Sequence, residues 1–283
     1  MGKPITEIKK ELEEYTLEEL PVKMQQYEQD ERTGVQNLLT RCVRRLEEEK
    51  KEQQRLEKML EYERKYDFCS HICGIDEAGR GPLAGPGVAG AVVLPHDCKI
   101  RYLNDSKKLS ASRRDALYDE IMEKAVAVGV GMASPARIDE INILQATYEA
   151  MRQAVDSLSV QPDILLNDAV TIPRITTVQV PIIKGDAKSM SIAAASIIAK
   201  VTRDRLMMEY DKLMPEYGFA GHKGYGSAAH IEALKKYGPS PIHRKTFITH
   251  FILERKPGRE DESKKNRTGA GRTGGKVSGR KRL

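Results

Sequence analysis

Four acidic residues of this 283-residue chain stand where short apolar segments end. Asp76 and Glu77 close one such segment, Asp168 closes a second, and Asp186 follows a third within a Lys-Gly-Asp sequence. Carboxylates that crowd together without partners are costly, so they must be protonated, paired with cations or bound to metal. A ligand set made only of oxygen atoms favours hard cations, Mg²⁺ or Mn²⁺, over Zn²⁺. The residue types therefore predict a divalent-metal site, provided that the fold brings the four side chains together.

Asp76 and Glu77 are neighbours, and this places a condition on the local structure. Consecutive residues of a regular strand point to opposite faces of the sheet, so both carboxylates can serve one site only if the pleat ends there. The Gly-Arg-Gly-Pro sequence that starts at Gly79 predicts that end. Any one of the four acids, taken alone, is better explained as a helix cap or a turn residue. Four of them at strand edges argue against that explanation.

The histidines and cysteines do not suggest a competing metal site. The six histidines lack the spacing of zinc proteases, and the pair Cys69 and Cys73 has no second pair to complete a zinc site. We expect free thiols, because four cysteines in a chain of this length fit a reduced, cytoplasmic protein. No segment reaches the roughly 18 apolar residues of a membrane helix, and the N-terminus does not resemble a signal peptide. The composition thus excludes the membrane-spanning and disulfide-stapled classes.

The elements that must position the four acids follow from the hydrophobic pattern. Short apolar runs predict five strands, and longer runs with a period of three to four residues predict helices. Strands that come first alone and then alternate with helices indicate an α/β fold, a mixed five-stranded sheet flanked by helices. The predicted strands are 72–76, 88–94, 125–132, 163–168 and 176–183, and the predicted helices are 112–124, 134–158, 189–213 and one that begins at 228.

Charge divides the chain into three parts. Residues 1–66 carry a net charge of −2, residues 67–254 are neutral, and residues 255–283 carry +8, so the overall +6 originates in the last part. The first part has the pattern of a helical extension, and the last is a Gly-, Arg- and Lys-rich tail that we expect to be disordered. Such a tail either binds phosphates without regard to sequence or is a solvated terminus with no partner. We expect the neutral middle part to be the catalytic domain.

Around the first two acids the sequence resembles a known family. Residues 74–86, with the sequence GIDEAGRGPLAGP, closely resemble the signature of bacterial ribonuclease HII. The resemblance continues in the same order through five more motifs of the middle part. They are DSKKL (105–109), LLNDA (165–169), KGD (184–186), SIAAASIIAK (191–200) and GHKGYG (221–226). Six motifs in register are far more specific than the first motif alone.

The resemblance implies a ribonuclease H-like fold and an endonuclease that cuts the RNA strand of RNA–DNA hybrids. It also implies incision at single ribonucleotides embedded in duplex DNA, which leaves 3′-hydroxyl and 5′-phosphate ends. By position, the catalytic residues that bind two divalent ions, Mg²⁺ or Mn²⁺, would be Asp76, Glu77, Asp168 and Asp186. Two such ions can activate a water and stabilise the leaving oxygen. The helical extension and the basic tail lie outside the shared domain of this family and inherit no role from it.

The resemblance also assigns contacts with the substrate. Gly79, Arg80 and Gly81 would hold the backbone around the ribonucleotide, where a 2′-hydroxyl can both donate and accept hydrogen bonds. Tyr225 would pack at the sugar beside the cut, whereas without the resemblance it would be an ordinary half-buried tyrosine. Four lysines are candidates for phosphate contacts, with ordinary solvated lysines as the alternative. They are Lys107, Lys108, Lys184 and Lys188.

Two alternatives stay open from the sequence. A ribonuclease HIII-like enzyme would cut hybrids but handle single ribonucleotides poorly; it resembles this chain less, because its N-terminal domain is a small sheet and its fourth acid is Glu rather than Asp186. A catalytically silent nucleic-acid-binding protein would gain nothing from four carboxylates that face phosphate. We expect RNA–DNA hybrids and ribonucleotide-containing duplex DNA as partners, no membrane, and a monomer.

Overall fold

The computed structural model describes residues 3–252, and a five-stranded sheet lies at its centre. The spatial order of the strands is β3-β2-β1-β4-β5. The first three strands in the chain pair antiparallel, β4 pairs in parallel with β1, and β5 pairs in parallel with β4. This confirms the predicted mixed five-stranded sheet. The strands are β1 Ile72–Ala78, β2 Gly87–Val93, β3 Ala127–Ala133, β4 Ile164–Asp168 and β5 Val178–Ile182.

The pairing of β1 with β4 brings two of the candidate acids side by side. The strands run parallel with Ile75 opposite Asn167, so the next residues, Asp76 and Asp168, reach the same edge of the sheet. The carboxyl ends of parallel strands are the usual place for ligands in α/β folds. The sheet thus positions the two acids although 91 residues of chain separate them.

The end of β1 differs from the sequence prediction. We predicted that the strand stops at Asp76, but Glu77 and Ala78 still pair with Ala89 and Val88 of β2. The pleat therefore continues through both acids, which start on opposite faces of the strand. The prediction was wrong because the Gly-Arg-Gly-Pro turn acts only after Ala78, once the antiparallel ladder with β2 is complete.

Helices cover both faces of the sheet. The Ala-rich helix α7 lies on β1 and β2, and α6 lies on the other face against β2 and β3. A Cβ atom placed on Gly74 would lie 2.0 Å from the backbone carbon of Ser191, so only glycine lets α7 come this close to β1. The long helix α6 is predicted correctly in extent, but Asn142, with φ 67°, interrupts it. The helices are α1 Ile5–Glu14, α2 Leu20–Gln25, α3 Thr33–Met59, α4 Glu61–Lys65, α5 Ala111–Lys124, α6 Pro135–Asp156, α7 Met190–Leu213, α8 Phe219–His222, α9 Ala228–Tyr237 and α10 Lys245–Ile252.

The N-terminal extension is helical, as predicted, and has a small apolar core of its own. Ile8 and Leu12 of α1 pack with Leu20 of α2 and Leu39 of α3. The far end of α3 joins the main core instead, where Leu56 is buried with residues of α5 and α7. The boundary at residues 66 and 67 stays a proposal.

The C-terminal tail of residues 255–283, with its predicted disorder, lies outside the described residues. Within residues 3–252, no helix is long and apolar enough to cross a membrane. The four cysteines are free thiols in the structure, as predicted.

Candidate active site

Asp76 is the most deeply buried of the four candidate acids. Only 6% of its surface is exposed, on the side of β1 that faces α7. Burial, followed by the neighbouring Glu77, raises the pKa of this carboxyl well above its ordinary value. Two neighbouring groups oppose that rise in pKa. They are the Ser196 hydroxyl of α7 and the Glu77 backbone N–H, which donates to Oδ1 of Asp76 at 2.7 Å. A buried, hydrogen-bonded carboxylate beside other acids is a candidate ligand for a cation.

Glu77 points away from α7 in the pleat, and it still belongs to the same cluster of charges. Burial is the main reason that its pKa is raised, and Asp168 raises it further. The guanidinium of Arg80, with Nη1 3.4 Å from Oε1, and the ammonium of Lys107 act in the opposite direction. The pleat does not end before Glu77, so it is the long Glu77 side chain that reaches the other charged groups at the edge of the sheet.

Asp168 and Asp186 are held together by the loop that follows β5. The backbone N–H of Gly185 donates to Oδ1 of Asp168 at 2.7 Å, and Asp186 is the next residue, in the 3₁₀ turn Gly185–Ala187. Lys184 enters this turn in the left-handed conformation, with φ 58°. Burial raises the pKa of Asp186, and Asp105 and Asp168 raise it further. Asp168 therefore links the predicted acids, because it acts electrostatically on Asp76, on Glu77 and on Asp186.

The residues at this edge of the sheet fit divalent cations by their chemistry. The donors are carboxylate oxygens, and burial, followed by the charge of neighbouring carboxylates, raises the pKa values of three of the four. A bound cation relieves both effects. In residues 3–252, however, no three Asp, Glu, His or Cys side chains are already arranged to hold a metal ion. Cation binding would therefore require rotations of the flexible acid side chains.

The predicted substrate residues lie in two loops that meet. The loop of residues 79–86 follows β1, and Tyr225 lies in a Gly-Tyr-Gly sequence after α8. A Cβ atom placed on Gly81 would have only the Tyr225 ring near it, with Cε1 at 3.9 Å. The tyrosine is 45% exposed, and both Arg80 and Gly81 are exposed as well. Gly81, Arg80 and Tyr225 thus share an open surface beside the acids.

The candidate phosphate-binding lysines divide into two pairs. Lys107 lowers the pKa values of Glu77 and Asp186, and Lys108 lowers that of Asp186, so both lie within electrostatic reach of the acids. Lys184 and Lys188 are exposed on either side of the Asp186 turn. The roles of all four in phosphate binding stay predictions.

Three residues of this site were not predicted from the sequence, although each lies in a quoted motif. Asp105 caps the 3₁₀ turn Ser106–Lys108, accepts from the Lys107 backbone N–H at 2.9 Å, and acts electrostatically on Asp186 as a fifth acid. The Ser196 hydroxyl, which lowers the pKa of Asp76, donates to Oγ of Ser106 at 3.1 Å. Their positions in the DSKKL and SIAAASIIAK motifs could have marked them as site residues. A serine in an Ala-rich helix, however, gives no indication of which side chain it contacts.

Asn167 is a polar residue at a buried position of β4, where the sequence pattern favours an apolar one. Its side-chain amide donates to Oε1 of Gln179 on β5 at 2.9 Å, and the Gln179 side chain in turn binds the backbone of Ile172. This polar bridge ties the strand that ends in Asp168 to the loop that follows it. The departure from the pattern therefore has a local structural reason.

Comparison with known proteins identifies the relatives of the chain. A family model described as ribonuclease HII matches residues 73–250, and a model described as the ribonuclease HII N-terminal domain matches residues 4–67. The extension thus also recurs in relatives, contrary to the expectation from the motifs. Ribonuclease HII of Lachnoclostridium phytofermentans is 64% identical over 225 residues, which cover 80% of this chain and 89% of the relative.

Solved structures with the same fold extend the comparison. The ribonuclease H2 of Pyrococcus horikoshii OT3 superposes with a TM-score of 0.54 at 30% identity and covers 65% of this chain and 98% of its own. The structure of Bst-RNase HIII in complex with Mn²⁺ superposes with a TM-score of 0.52 at 18% identity and covers 65% and 69%. The second likeness is one of fold alone.

Proposed function

The chain belongs to the ribonuclease HII family, and on that premise we propose how its residues cut the RNA strand of RNA–DNA hybrids. It is a metal-dependent endoribonuclease. The observation that carries the assignment of its site is the meeting of Asp76 and Asp168 at the ends of two parallel strands, with Glu77 and Asp186 in electrostatic reach. We propose that these four acids are the catalytic carboxylates.

The cofactor that suits these ligands is a pair of Mg²⁺ or Mn²⁺ ions, which when bound would activate the attacking water and neutralise charge on the leaving oxygen. The chain's own groups prepare the ligands. The Ser196 hydroxyl favours the charged form of Asp76, and the Gly185 N–H fixes one oxygen of Asp168. Lys107 reduces the repulsion between the acids from the open side.

Incision at a single ribonucleotide requires that the enzyme detect one 2′-hydroxyl in a DNA duplex. We propose that the backbone of Gly79–Gly81 binds this hydroxyl and that the Tyr225 ring packs against the neighbouring sugar. The support is the open surface that Gly81 and Tyr225 share, since a side chain at position 81 would occupy it. A 2′-hydroxyl both donates and accepts hydrogen bonds, which backbone groups can match.

The two alternatives from the sequence have weaker support. A silent nucleic-acid-binding protein conflicts with membership of a nuclease family and would gain nothing from the acids at the sheet edge. The ribonuclease HIII-like alternative is supported by a likeness of fold, whereas the family model and a 64% identical relative are of ribonuclease HII. We further propose that the enzyme acts as a monomer in the cytoplasm; elution at the mass of one chain in size-exclusion chromatography would agree with the first point.

The test of the site uses isosteric substitutions. We expect Asp76→Asn and Asp168→Asn to reduce incision of a duplex with one ribonucleotide by at least about 100-fold, because each removes a charge that binds the metal ions. Duplex binding, measured by fluorescence anisotropy, should persist. Asp115→Asn on α5 is the matched control, since Asp115 is exposed and pairs with Arg205. Full activity in either site variant would refute the assignment.

A further inference from the structure

Two arginines, Arg203 on α7 and Arg244 just before α10, are fully buried in the main domain. Every hydrogen bond that the structure describes for their guanidinium groups ends on a backbone carbonyl. Burial lowers the pKa of Arg203, and burial together with the charge of Arg203 lowers that of Arg244 to about 9. Asp204 acts electrostatically on Arg203 and Asp139 on Arg244, but no described carboxylate lies at ion-pair distance from either guanidinium. Two buried like charges without such a partner oppose folding, so the carbonyls that they bind require a structural reason.

Arg203 joins the two proposed substrate loops. Its Nε donates to the Pro86 carbonyl at 3.0 Å and its Nη2 donates to the Ala84 carbonyl at 3.0 Å, both in the loop of residues 79–86. Its Nη1 donates to the Lys223 carbonyl at 2.9 Å, two residues before Tyr225. One planar, rigid group therefore fixes the distance between the loops.

Arg244 binds the same loop of residues 79–86 from the other side. Nη2 donates to the Gly79 carbonyl at 2.6 Å, and Nη1 donates to the Arg80 carbonyl at 3.0 Å. Nε donates to the Gly85 carbonyl at 3.0 Å, so both ends of the loop are bound to one side chain. The carbonyls of Gly79 and Arg80 consequently point into the protein, which leaves the other backbone and side-chain groups of the segment for the substrate.

The glycine at position 79 fits this arrangement. Gly79 has φ +90°, and a Cβ atom there would lie 2.2 Å from Nε of Arg203. The residue must therefore be glycine for the guanidinium to occupy its place, a reason separate from close approach of the substrate. The second loop is tied in as well, because the Gly224 carbonyl accepts from the Leu83 backbone N–H at 2.8 Å.

We infer that Arg203 and Arg244 are positioning residues that fix the Gly79–Gly81 backbone relative to Tyr225 and thereby set the selection of the ribonucleotide. The inference rests on the proposed function of these two loops. It assigns no contact with substrate to either arginine. Lysine in place of either arginine keeps the charge but cannot bind three carbonyls in a plane, so the loop of residues 79–86 would be held less firmly against its neighbours.

A fluorescence experiment tests the positioning without relying on activity. The chain has no tryptophan, so Tyr225→Trp places a single reporter in the second loop. We expect Arg203→Lys in this background to increase acrylamide quenching of the reporter about twofold as the loop loosens. Arg205→Lys, an exposed position on the same helix, is the control and should leave quenching unchanged. Equal quenching in the Arg203 variant would overturn the inference.

Kinetics with the native Tyr225 test the consequence for selection. We expect Arg203→Lys to lower kcat on a single-ribonucleotide duplex about tenfold more than it lowers kcat on a continuous hybrid. KM should change little, because a small misplacement of the reacting groups slows the reaction more than it weakens binding. The ratio of the two activities does not depend on the fraction of folded enzyme. An unchanged ratio would refute the effect on selection.

A double-mutant cycle separates positioning from general destabilisation. If Arg203 acts through Tyr225, the tenfold loss of selectivity on Arg203→Lys should shrink to less than about threefold in a Tyr225→Ala background. Equal losses in both backgrounds would overturn the link. A Tyr225→Ala enzyme with wild-type selectivity would contradict the proposed role of Tyr225, while the quenching result would still decide whether the arginines hold the loop.

Arg244→Lys serves as the second variant should Arg203→Lys not fold. The same increase in quenching is expected, because Arg244 holds the Gly79–Gly85 side of the contact. Loss of a cooperative thermal transition in both variants would make the pair a requirement for folding rather than for positioning, and would refute the inference.

Discussion

His243 links the stability of the catalytic domain to pH through a chain of imidazoles. Its Nδ1 accepts from the Ser240 backbone N–H at 2.9 Å, so in the neutral ring the proton is on Nε2, which donates to Nε2 of His230 at 3.0 Å. The remaining nitrogen of His230, Nδ1, then donates to the Tyr225 carbonyl at 2.9 Å. Protonation of His243 would remove the acceptor that Ser240 needs, so the native structure favours the neutral form.

The magnitude follows from the pKa of His243. Burial, followed by the neighbouring His230, lowers this pKa from 6.5 to about 4. Between these values the unfolded chain binds the proton and the native chain does not, so the stabilisation is complete above pH 6.5 and is lost as the pH falls through about 4. From pH 7.5 to pH 4.5 the loss is about 2.5 kcal/mol.

Acids in the active site work in the opposite direction and must be separated from this effect. The native pKa values of Asp76, Glu77 and Asp186 are raised, so their protonation at falling pH stabilises the native state. The pH profile of the wild-type enzyme sums both effects. A comparison with a variant that lacks only the imidazole cancels the contribution of the acids.

The assay is urea unfolding followed by far-UV circular dichroism at pH 7.5 and pH 4.5. We expect His243→Gln to be less stable than wild type at pH 7.5 and the difference to narrow by about 2.5 kcal/mol at pH 4.5. His96→Gln is the control, because His96 is exposed and pairs with Asp67 at the surface. A difference that stays constant within about 0.5 kcal/mol between the two pH values would refute the reasoning.

Three further predictions concern the extension, the support of Asp76 and the tail. Glu63→Gln should lower the free energy of unfolding by about 1–3 kcal/mol in urea melts. The Glu63 carboxylate oxygen Oε1 accepts from Ser189 Oγ at 2.6 Å and from the Ser191 N–H at 3.0 Å, where α7 begins, and unchanged melts would contradict a stabilising role of these bonds. Ser196→Ala should move the acidic limb of the pH–rate profile to higher pH, because the hydroxyl lowers the Asp76 pKa; an unmoved limb would argue against that effect of the hydroxyl. Deletion of 257–283 should flatten the salt dependence of duplex binding and leave the cleavage position unchanged, and a shifted position would show a further role of the tail.

Much of the fold could be predicted because the pattern is local. Strands β2 and β4 contain apolar runs bounded by turn residues, and the alternation of the later strands with helices indicates the mixed sheet. The predicted end of β1 was wrong because Glu77 is polar, and only its pairing with Ala89 of β2 keeps Glu77 in the ladder. The four acids were predicted from their places at strand ends, while their convergence depends on the parallel pairing of β1 with β4.

The supporting groups could not be predicted, because burial is a property of the tertiary structure. Arg203 lies in the sequence Lys-Val-Thr-Arg-Asp-Arg, where three basic residues look equally exposed. Only Arg203 is fully buried, while Lys200 pairs with Asp204 and Arg205 pairs with Asp115 at the surface. Arg203 lies on the side of its helix that faces the loop of residues 79–86, but the neighbouring sequence does not show that backbone carbonyls of that loop accept its hydrogen bonds.

The two groups of buried charge in this domain can be told apart by their partners. Burial, followed by neighbouring carboxylates, raises the pKa values of Asp76 and Asp186, so the cluster gains from a cation that comes with the substrate or the solvent. Arg203 and Arg244 have loop carbonyls as partners, each at hydrogen-bonding distance, so these groups need no ligand to remain charged. The acids repel one another, and such a cluster indicates where the reaction occurs. The two arginines each bind backbone carbonyls, and such groups indicate which side chains hold the reacting residues in place. In this chain the Gly79–Gly81 segment connects the two groups, because it follows Asp76 and Glu77 of β1 and because Arg244 binds the carbonyls of Gly79 and Arg80.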